Sequence, residues 1–432
     1  MTEPIGFATW QNQTTLHPAG FAAIVILGLA TLFVPRRWAV APMLVAACFI
    51  APAQRLVVFT LDFNMLRLLV LFGWARVTLR RETVGFRWRA VDWVVLLLAA
   101  VRTGAYTIQR GETGALIYML GESFDAVGMY FLFRILVRSW EDALAWIRAF
   151  VVLSVPVLIA FTIENRTGRN IFSALGGVPS ITQIREGRMR CQGAFAHPIL
   201  AGTFWAALLP MMVALWWRPV GRDKVFAVGG TVCGLGIVAL SASSTPVAAV
   251  GLAIIGASFW PLRHWMGWVR AGLAFTLVFL HLSMDKPVWH LIARIDIVGG
   301  STGWHRYFLF DQAIRHMNEW ALVGSPSTET WGIVDITNQY VLEGLRGGLA
   351  TVALFVLVIA LVFRDVGGLW RSVRAVRWKA VLAWSLGVAL FVHVMAFFAV
   401  SYFGQIIVIW HLLLATIVSL RTAQLGRPMG AR

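Results

Sequence analysis

Apolar runs of about 17–25 residues recur along this chain, separated mostly by short polar connections. Each is long enough for a helix to cross ~30 Å of hydrocarbon. The alternation of about ten residues per strand that marks an outer-membrane barrel is missing. The pattern places spans near 19–34, 38–53, 56–75, 91–108, 114–137, 143–163, 198–217, 225–242, 245–261, 267–282, 339–363, 380–398 and 402–420, with ends good to roughly 2–4 residues. These thirteen become twelve if the weakly apolar second and third segments form a re-entrant hairpin. The expected fold class is an all-α polytopic membrane protein, with residues 1–432 as one membrane domain. Two connections are long, 164–197 and 283–338. An even number of spans separates them, so both emerge on the same side, the second as a small external cap.

Composition narrows the class. At 59% hydrophobic and 13% charged residues, neither a soluble domain nor a disordered chain fits. The net charge of +17 raises nucleic acid as a partner, but its distribution argues otherwise. Most Lys and Arg residues fall on alternate connections: Arg36 and Arg37, Arg76 to Arg89, Arg134 and Arg138, Arg218 to Lys224, Arg263 and Arg270, Arg364 to Lys379, and the tail. The positive-inside rule makes that side cytoplasmic and turns the two long loops outward. The basicity is topology, and the expected partner is the lipid bilayer, with no nucleic acid. Cys48, Cys191 and Cys233 form no CxxC pair, so neither a disulfide framework nor a zinc site is indicated. The opening MTEPIGFATWQNQTTLHP has no basic n-region and no small-residue cleavage site, so the first span is expected to be retained. HExxH, Walker and GxSxG motifs are missing from places where they would make sense, which argues against a metalloprotease, an ATPase and an α/β hydrolase. No metal and no cofactor is expected.

The candidate chemistry sits in the two loops. RMRCQGAFAHP, Arg188 to Pro198, lies at the edge of a span, and the first loop sets Arg166, Arg169, Arg185, Arg188 and Arg190 against Glu164 and Glu186. Arginines outside run against the orientation bias, and a functional demand explains them; the bland alternative is that they satisfy loop carbonyls or lipid phosphates. The guanidinium fork stays charged and matches paired phosphate oxygens. A polyprenyl diphosphate donor needs such groups as the leaving diphosphate develops charge. Arg190 and Arg306 are the leading pair, supported by Arg188 and by Arg346, for which Glu343 is the expected i,i+3 partner.

In the second loop, Trp304 to Ala321 has a helical pattern, with Trp304, Tyr307, Ile314, Met317 and Ala321 on one half of the wheel. His305, Gln312, His316 and Glu319 gather opposite, and Arg306 lies at the margin, either facing a cavity or snorkelling. His197 before Pro198 is either a proton relay or sugar-hydroxyl ligand, or an interfacial cap. Gly193 allows a close backbone approach or a positive φ. Thr337 and Asn338 stand where a helix cap belongs. Where a base is needed, Asp335, Glu343, His305 and His197 are the choices. Asp62, Arg67, Arg102, Glu122 and Asp125 fall within spans and demand partners. SASSTP at 241–246 reads only as a small-residue turn.

The order of RxxGxFxHP, SASS after a span, WHRYFLFDQAI and WALVG in a large loop, then TNQYVLEGLRGGL resembles the O-antigen ligase and O-antigen polymerase superfamily over roughly residues 185–360. The resemblance implies a GT-C-like bundle of about 12–13 helices with a large periplasmic loop, in the bacterial inner membrane. It implies a metal-independent, inverting glycosyltransferase that takes a glycan from undecaprenyl diphosphate to an acceptor sugar hydroxyl, with Arg190 and Arg306 holding the diphosphate. His305, Arg188, Gly193, Asn338 and Arg346 would complete substrate binding. Thr337 stands where ligases carry histidine before Asn338, which favours polymerisation of exopolysaccharide or O-antigen repeat units. Partners would then include a chain-length regulator or flippase of the same pathway. The rival expectations are a ligase delivering finished glycan to lipid A-core or another acceptor, and a non-enzymatic flippase of lipid-linked sugar.

Overall fold

The computed structural model of the protein describes residues 14–59, 61–294, 302–333 and 335–425. In chain order the elements are α1 (Pro18–Phe33), α2 (Ala41–Phe49), β1 (Arg55–Val58), β2 (Leu61–Asn64), α3 (Met65–Leu79), α4 (Ala90–Arg110), α5 (Thr113–Leu136) and α6 (Trp140–Thr167). They continue with β3 (Gln183–Arg185), β4 (Arg188–Arg190), α7 (Pro198–Ala214), α8 (Gly221–Leu240), α9 (Ser244–Ser258), α10 (Met266–Ser283), α11 (Thr302–Arg315) and α12 (Met317–Trp320). Three helices close the bundle: α13 (Gln339–Val373), α14 (Arg377–Ala396) and α15 (Ile406–Leu425). Among the described residues, nine helices are long and apolar enough to cross a membrane. The protein is a multi-pass membrane protein.

Local sequence sets the helix ends. Ser139 and Asp142 form a reciprocal capping box that starts α6, and Gly168 ends it in the left-handed region. His197 caps α7, with Pro198 as its first residue. α7 is buried almost throughout, with Phe204 and Trp205 fully enclosed. It packs against α8, α9 and α14. Gly202 lets it lie against the turn before α9, because a Cβ there would come within 2.5 Å of Pro246 Cγ and Ser241 Oγ. Small residues permit such approaches between membrane helices.

Two expected spans change form. Residues 38–53 and 56–75 do not make two full crossings. α2 has only nine residues, β1 and β2 pair as an antiparallel hairpin, and α3 begins at Met65. α1 and α9 are also short, at 16 and 15 residues. The expected first loop begins later as well, since α6 continues to Thr167.

The arginines at the end of the bundle away from the long loops do more than mark topology. Arg134 is 4% exposed and donates through Nε and Nη2 to Asp92 at 2.9 Å; Tyr130 donates to the same carboxylate at 2.6 Å. Arg76 reaches Glu82, Arg148 reaches Asp223, and Arg89 reaches Asp365. These pairs tie α4 to α5, α6 to α8, and the start of α4 to α13. Buried charges survive in such places only when paired and hydrogen-bonded.

Candidate functional site

The first loop folds around one carboxylate. Glu164, 1% exposed near the end of α6, accepts from the backbone N–H of Gln192 (3.1 Å) and Gly193 (2.8 Å) and from Thr182 Oγ1 (3.2 Å). Gly193 has φ +56° and sits against Phe161, leaving no room for a side chain. Asn170 Nδ2 donates to its carbonyl at 2.7 Å, and the Cys191 N–H donates to Leu240 O at 3.1 Å. β3 and β4 are joined by Glu186 and Gly187, both at positive φ, which suits a tight two-residue hairpin. The last residue of β4 is Arg190.

That construction delivers a buried guanidinium to the start of α9. Arg190, 5% exposed, donates to Ser243 Oγ from Nη2 (2.9 Å) and Nε (3.3 Å), and to Gln183 Oε1 from Nη1 (3.1 Å). Those partners are neutral. Burial, and then the charge of Arg185, pushes its pKa below the ordinary arginine value. Ser243 occupies the N-cap position of α9, yet its hydroxyl donates to Ser241 O at 3.0 Å and makes no capping bond. The first amides of α9 are therefore left without a side-chain cap, at the positive end of the helix dipole.

Arg306 approaches the same segment from the second loop, and its Nη2 donates to Thr245 Oγ1 at 2.9 Å. A cavity of about 50 Å³ lies beneath it, lined by Thr245, Ala248, Ala249 and Leu252 of α9 and by Met395 and Ala396 of α14. The two loop arginines thus contact hydroxyls two residues apart. Sequence reasoning singled out the arginines but not Ser243, Thr245 and Gln183, which accept their hydrogen bonds. A Ser/Thr cluster before an apolar run was the available signal, and it reads equally well as an ordinary helix start.

The helix bearing Arg306 differs from expectation. It breaks at His316, and its buried side is Leu309, Ala313 and, past the break, Trp320. Trp304 and Met317, placed on the apolar half by the wheel, are exposed. Asp311 anchors the helix by accepting from Trp289 Nε1 (3.2 Å) and Arg315 Nε (2.6 Å), and Trp320 Nε1 donates back to Ala313 O.

His197 acts as a cap in this structure: its Nδ1 accepts from the Ile199 N–H at 3.2 Å. Burial and the Arg190 charge push its pKa down to about 4, so at neutral pH the ring is uncharged. With Nδ1 accepting, the ring proton is assigned to Nε2, which leaves Nε2–H as a hydrogen-bond donor. Because the folded-state value lies below the ordinary 6.5, the unfolded chain takes up this proton first as pH falls. Thermal stability is expected to decline from about pH 6.5 to about pH 4. His197→Asn, which keeps a capping side chain without titrating, should flatten that decline in thermal melts of the detergent-solubilised protein.

A second group gathers at the start of α13. Asn338 caps the helix, accepting from the N–H of Tyr340 (2.9 Å) and Val341 (3.1 Å). Glu343 and Arg346 do not pair with each other. Glu343 faces Arg102 of α4 at 3.4 Å, whereas Arg346 meets Glu122 of α5 at 3.9 Å and Tyr118 at 3.5 Å. Tertiary partners on α4 and α5 displace the local i,i+3 pairing. Asp125 is held by Arg67 (2.7 Å), and Asp62 by Arg55 (2.8 Å). Arg188, His305 and Asp335 are exposed. The structure therefore brings Arg190 and Arg306 to the start of α9, sets His197 near enough to Arg190 to feel its charge, gathers Glu343, Arg346 and Asn338 on α13, and leaves Arg188, His305 and Asp335 at the surface.

No protein-family model matches the chain, and the curated proteins contain no match to it.

Proposed function

We propose that the protein is a membrane glycosyltransferase of the O-antigen ligase and polymerase type. It would transfer a glycan from undecaprenyl diphosphate to an acceptor sugar hydroxyl, polymerising repeat units at the periplasmic face of the inner membrane. The observation that carries this reading is Arg190: a buried guanidinium whose hydrogen-bond partners among the described residues are neutral, at an uncapped helix N-terminus, two residues from the Thr245 that receives Arg306. Burying a cation is costly unless an anion meets it. Helix N-termini and arginine forks are both suited to phosphate oxygens.

In the transfer, the acceptor oxygen bonds to the anomeric carbon from the face opposite the diphosphate. The bond from that carbon to the diphosphate oxygen breaks with its electron pair, and the configuration inverts. The guanidiniums and the α9 amides stabilise the charge growing on the leaving group. The hydroxyl proton goes to the departing diphosphate or to water, and His197 Nε2–H serves as a donor to a ligand oxygen.

The test is reconstitution. Purified protein in lipid nanodiscs, given undecaprenyl-diphosphate repeat units, should produce a ladder of products. A single product on a distinct acceptor would instead indicate a ligase. Movement of a fluorescent lipid diphosphate across vesicles without elongation would indicate translocation, and the arginine hub would then be a transport site.

A further inference from the structure

A second cavity, of about 110 Å³, lies between α4, α5, α13 and α15. The C-terminal end of α14 separates it from the arginine hub: Phe397 faces this cavity, while Met395 and Ala396 face the smaller one under Arg306.

The helix that supplies Glu343 and Arg346 to this cavity is broken just beyond them. α13 is interrupted at Gly347 and Gly348, the latter with φ +73°. The second loop and α4 satisfy the groups that the break releases: Ser325 N–H of the loop and Gln109 Nε2 of α4 donate to Leu345 O, and the Leu349 N–H donates to Ala321 O. Side chains at Gly348 or Gly324 would collide with those carbonyl-bearing segments. Interrupted helices at membrane depth are tolerated where they line a cavity or are covered by protein, and in transporters they mark binding sites.

The charges around this cavity are balanced. Arg102 faces Glu343, Arg346 faces Glu122, and Arg67 holds Asp125, so an additional ion is not required. Gln339 Nε2 fixes Glu343 Oε1 at 2.9 Å, and Gln339 Oε1 is itself held by the Tyr402 N–H at 2.7 Å. Two polar atoms remain over. Arg102 Nε and Glu343 Oε2 have no hydrogen-bond partner, on side chains whose residues are 9% and 2% exposed. An N–H and a carboxylate oxygen left over on the two members of one ion pair are together the complement of one hydroxyl group, which accepts from the first and donates to the second. The remaining walls include Phe355, Phe397, Tyr402 and Trp410, apolar and aromatic surface of the kind that ligand pockets combine with a few placed polar groups.

We propose that this cavity is a sugar subsite that takes one neutral pyranose ring, with a ring hydroxyl held between Arg102 Nε–H and Glu343 Oε2. It is separate from the anion site at α9, and its assignment to a sugar of the transferred glycan or the acceptor rests on the function proposed above. Its hydroxyl chemistry is shared with water, and the experiment separates the two. Full-length protein in nanodiscs is titrated with octyl glucoside below its micellar concentration, and in parallel with octyl phosphate, reading tryptophan fluorescence and thermal shift. Two variants probe the cavity. Arg102→Met/Glu343→Leu removes both charges together, so neither is stranded. Ala99→Phe fills the lining from α4 and leaves every charge in place. Each is expected to weaken octyl glucoside binding by about tenfold or more, while Arg190→Ala leaves it unchanged and loses the octyl phosphate response. If one cavity variant fails to assemble, the other decides. No binding to the wild type means that the cavity holds water alone and overturns the proposal, as does undiminished binding in an assembled cavity variant. Octyl phosphate binding that is insensitive to Arg190→Ala counts against the proposed function and leaves the sugar subsite standing.

Discussion

Arg190→Ala is expected to cut glycan transfer by about a hundred- to a thousandfold, while the protein still inserts and folds. That range is the usual cost of removing one preorganised donor from a site of developing negative charge. The side chain is buried against Ser243 and Gln183, both of which can turn to other partners or to water once it is gone. Losing the guanidinium also relieves an uncompensated buried charge, so thermal stability should hold or rise. A variant that lost activity because it unfolded would do the reverse. Arg190→Lys separates charge from shape: an ammonium keeps the charge but cannot span two oxygens as a fork does, so intermediate activity is expected. The measurement is product ladder formation in nanodiscs alongside a thermal melt of each variant. Wild-type ladders from Arg190→Ala would remove the basis of the proposed transfer.

Much of the architecture can be read from the chain because span length and hydropathy are strong, local signals. α4 to α8, α14 and α15 fall close to their expected positions for that reason, whereas α13 starts where expected but continues to Val373 instead of ending near residue 363. The stretch RLVVFTLDFN is the instructive failure. Its apolar residues run straight into those of α3, and its β-branched and aromatic residues, Val57, Val58, Phe59, Thr60 and Phe63, were the hint of the hairpin that forms. Arg190 was singled out from charge placed against the topology bias and Arg306 from its place at the margin of a helical wheel, yet their hydroxyl partners were not. A serine at a helix start normally caps it, and nothing local reveals that Ser243 turns its proton to Ser241 instead. Glu343 and Arg346 show the opposite failure. Spacing of three on a helix gives a modest local preference, which stronger partners from α4 and α5 override once the bundle assembles.

Glu164 is where fold and site depend on the same atoms. Its carboxylate accepts two backbone amides and a threonine hydroxyl, and those amides belong to Gln192 and Gly193, just after Arg190. Glu164→Ala would strand two buried N–H groups at about 1–3 kcal/mol each, for a loss of roughly 3 kcal/mol in all once partial relaxation is allowed. The first loop should then detach from the end of α6 without dissolving the bundle, since α7 is capped independently by His197 and Pro198. Trypsin supplies a direct readout, because Arg185 and Arg188 flank the β3–β4 turn and become cleavable when the hairpin opens. Faster cutting there, a lower melting temperature and lost transfer should appear together in Glu164→Ala. Glu164→Gln, which keeps one acceptor oxygen in place, should fall between Glu164→Ala and wild type. Unchanged trypsin sensitivity in Glu164→Ala would mean that the loop is held by its other hydrogen bonds, among them those of Asn170, the Cys191–Leu240 backbone bond and Gln405 to Ala194 O. Arg190 would then owe its position at Ser243 to the β-hairpin rather than to the carboxylate behind it.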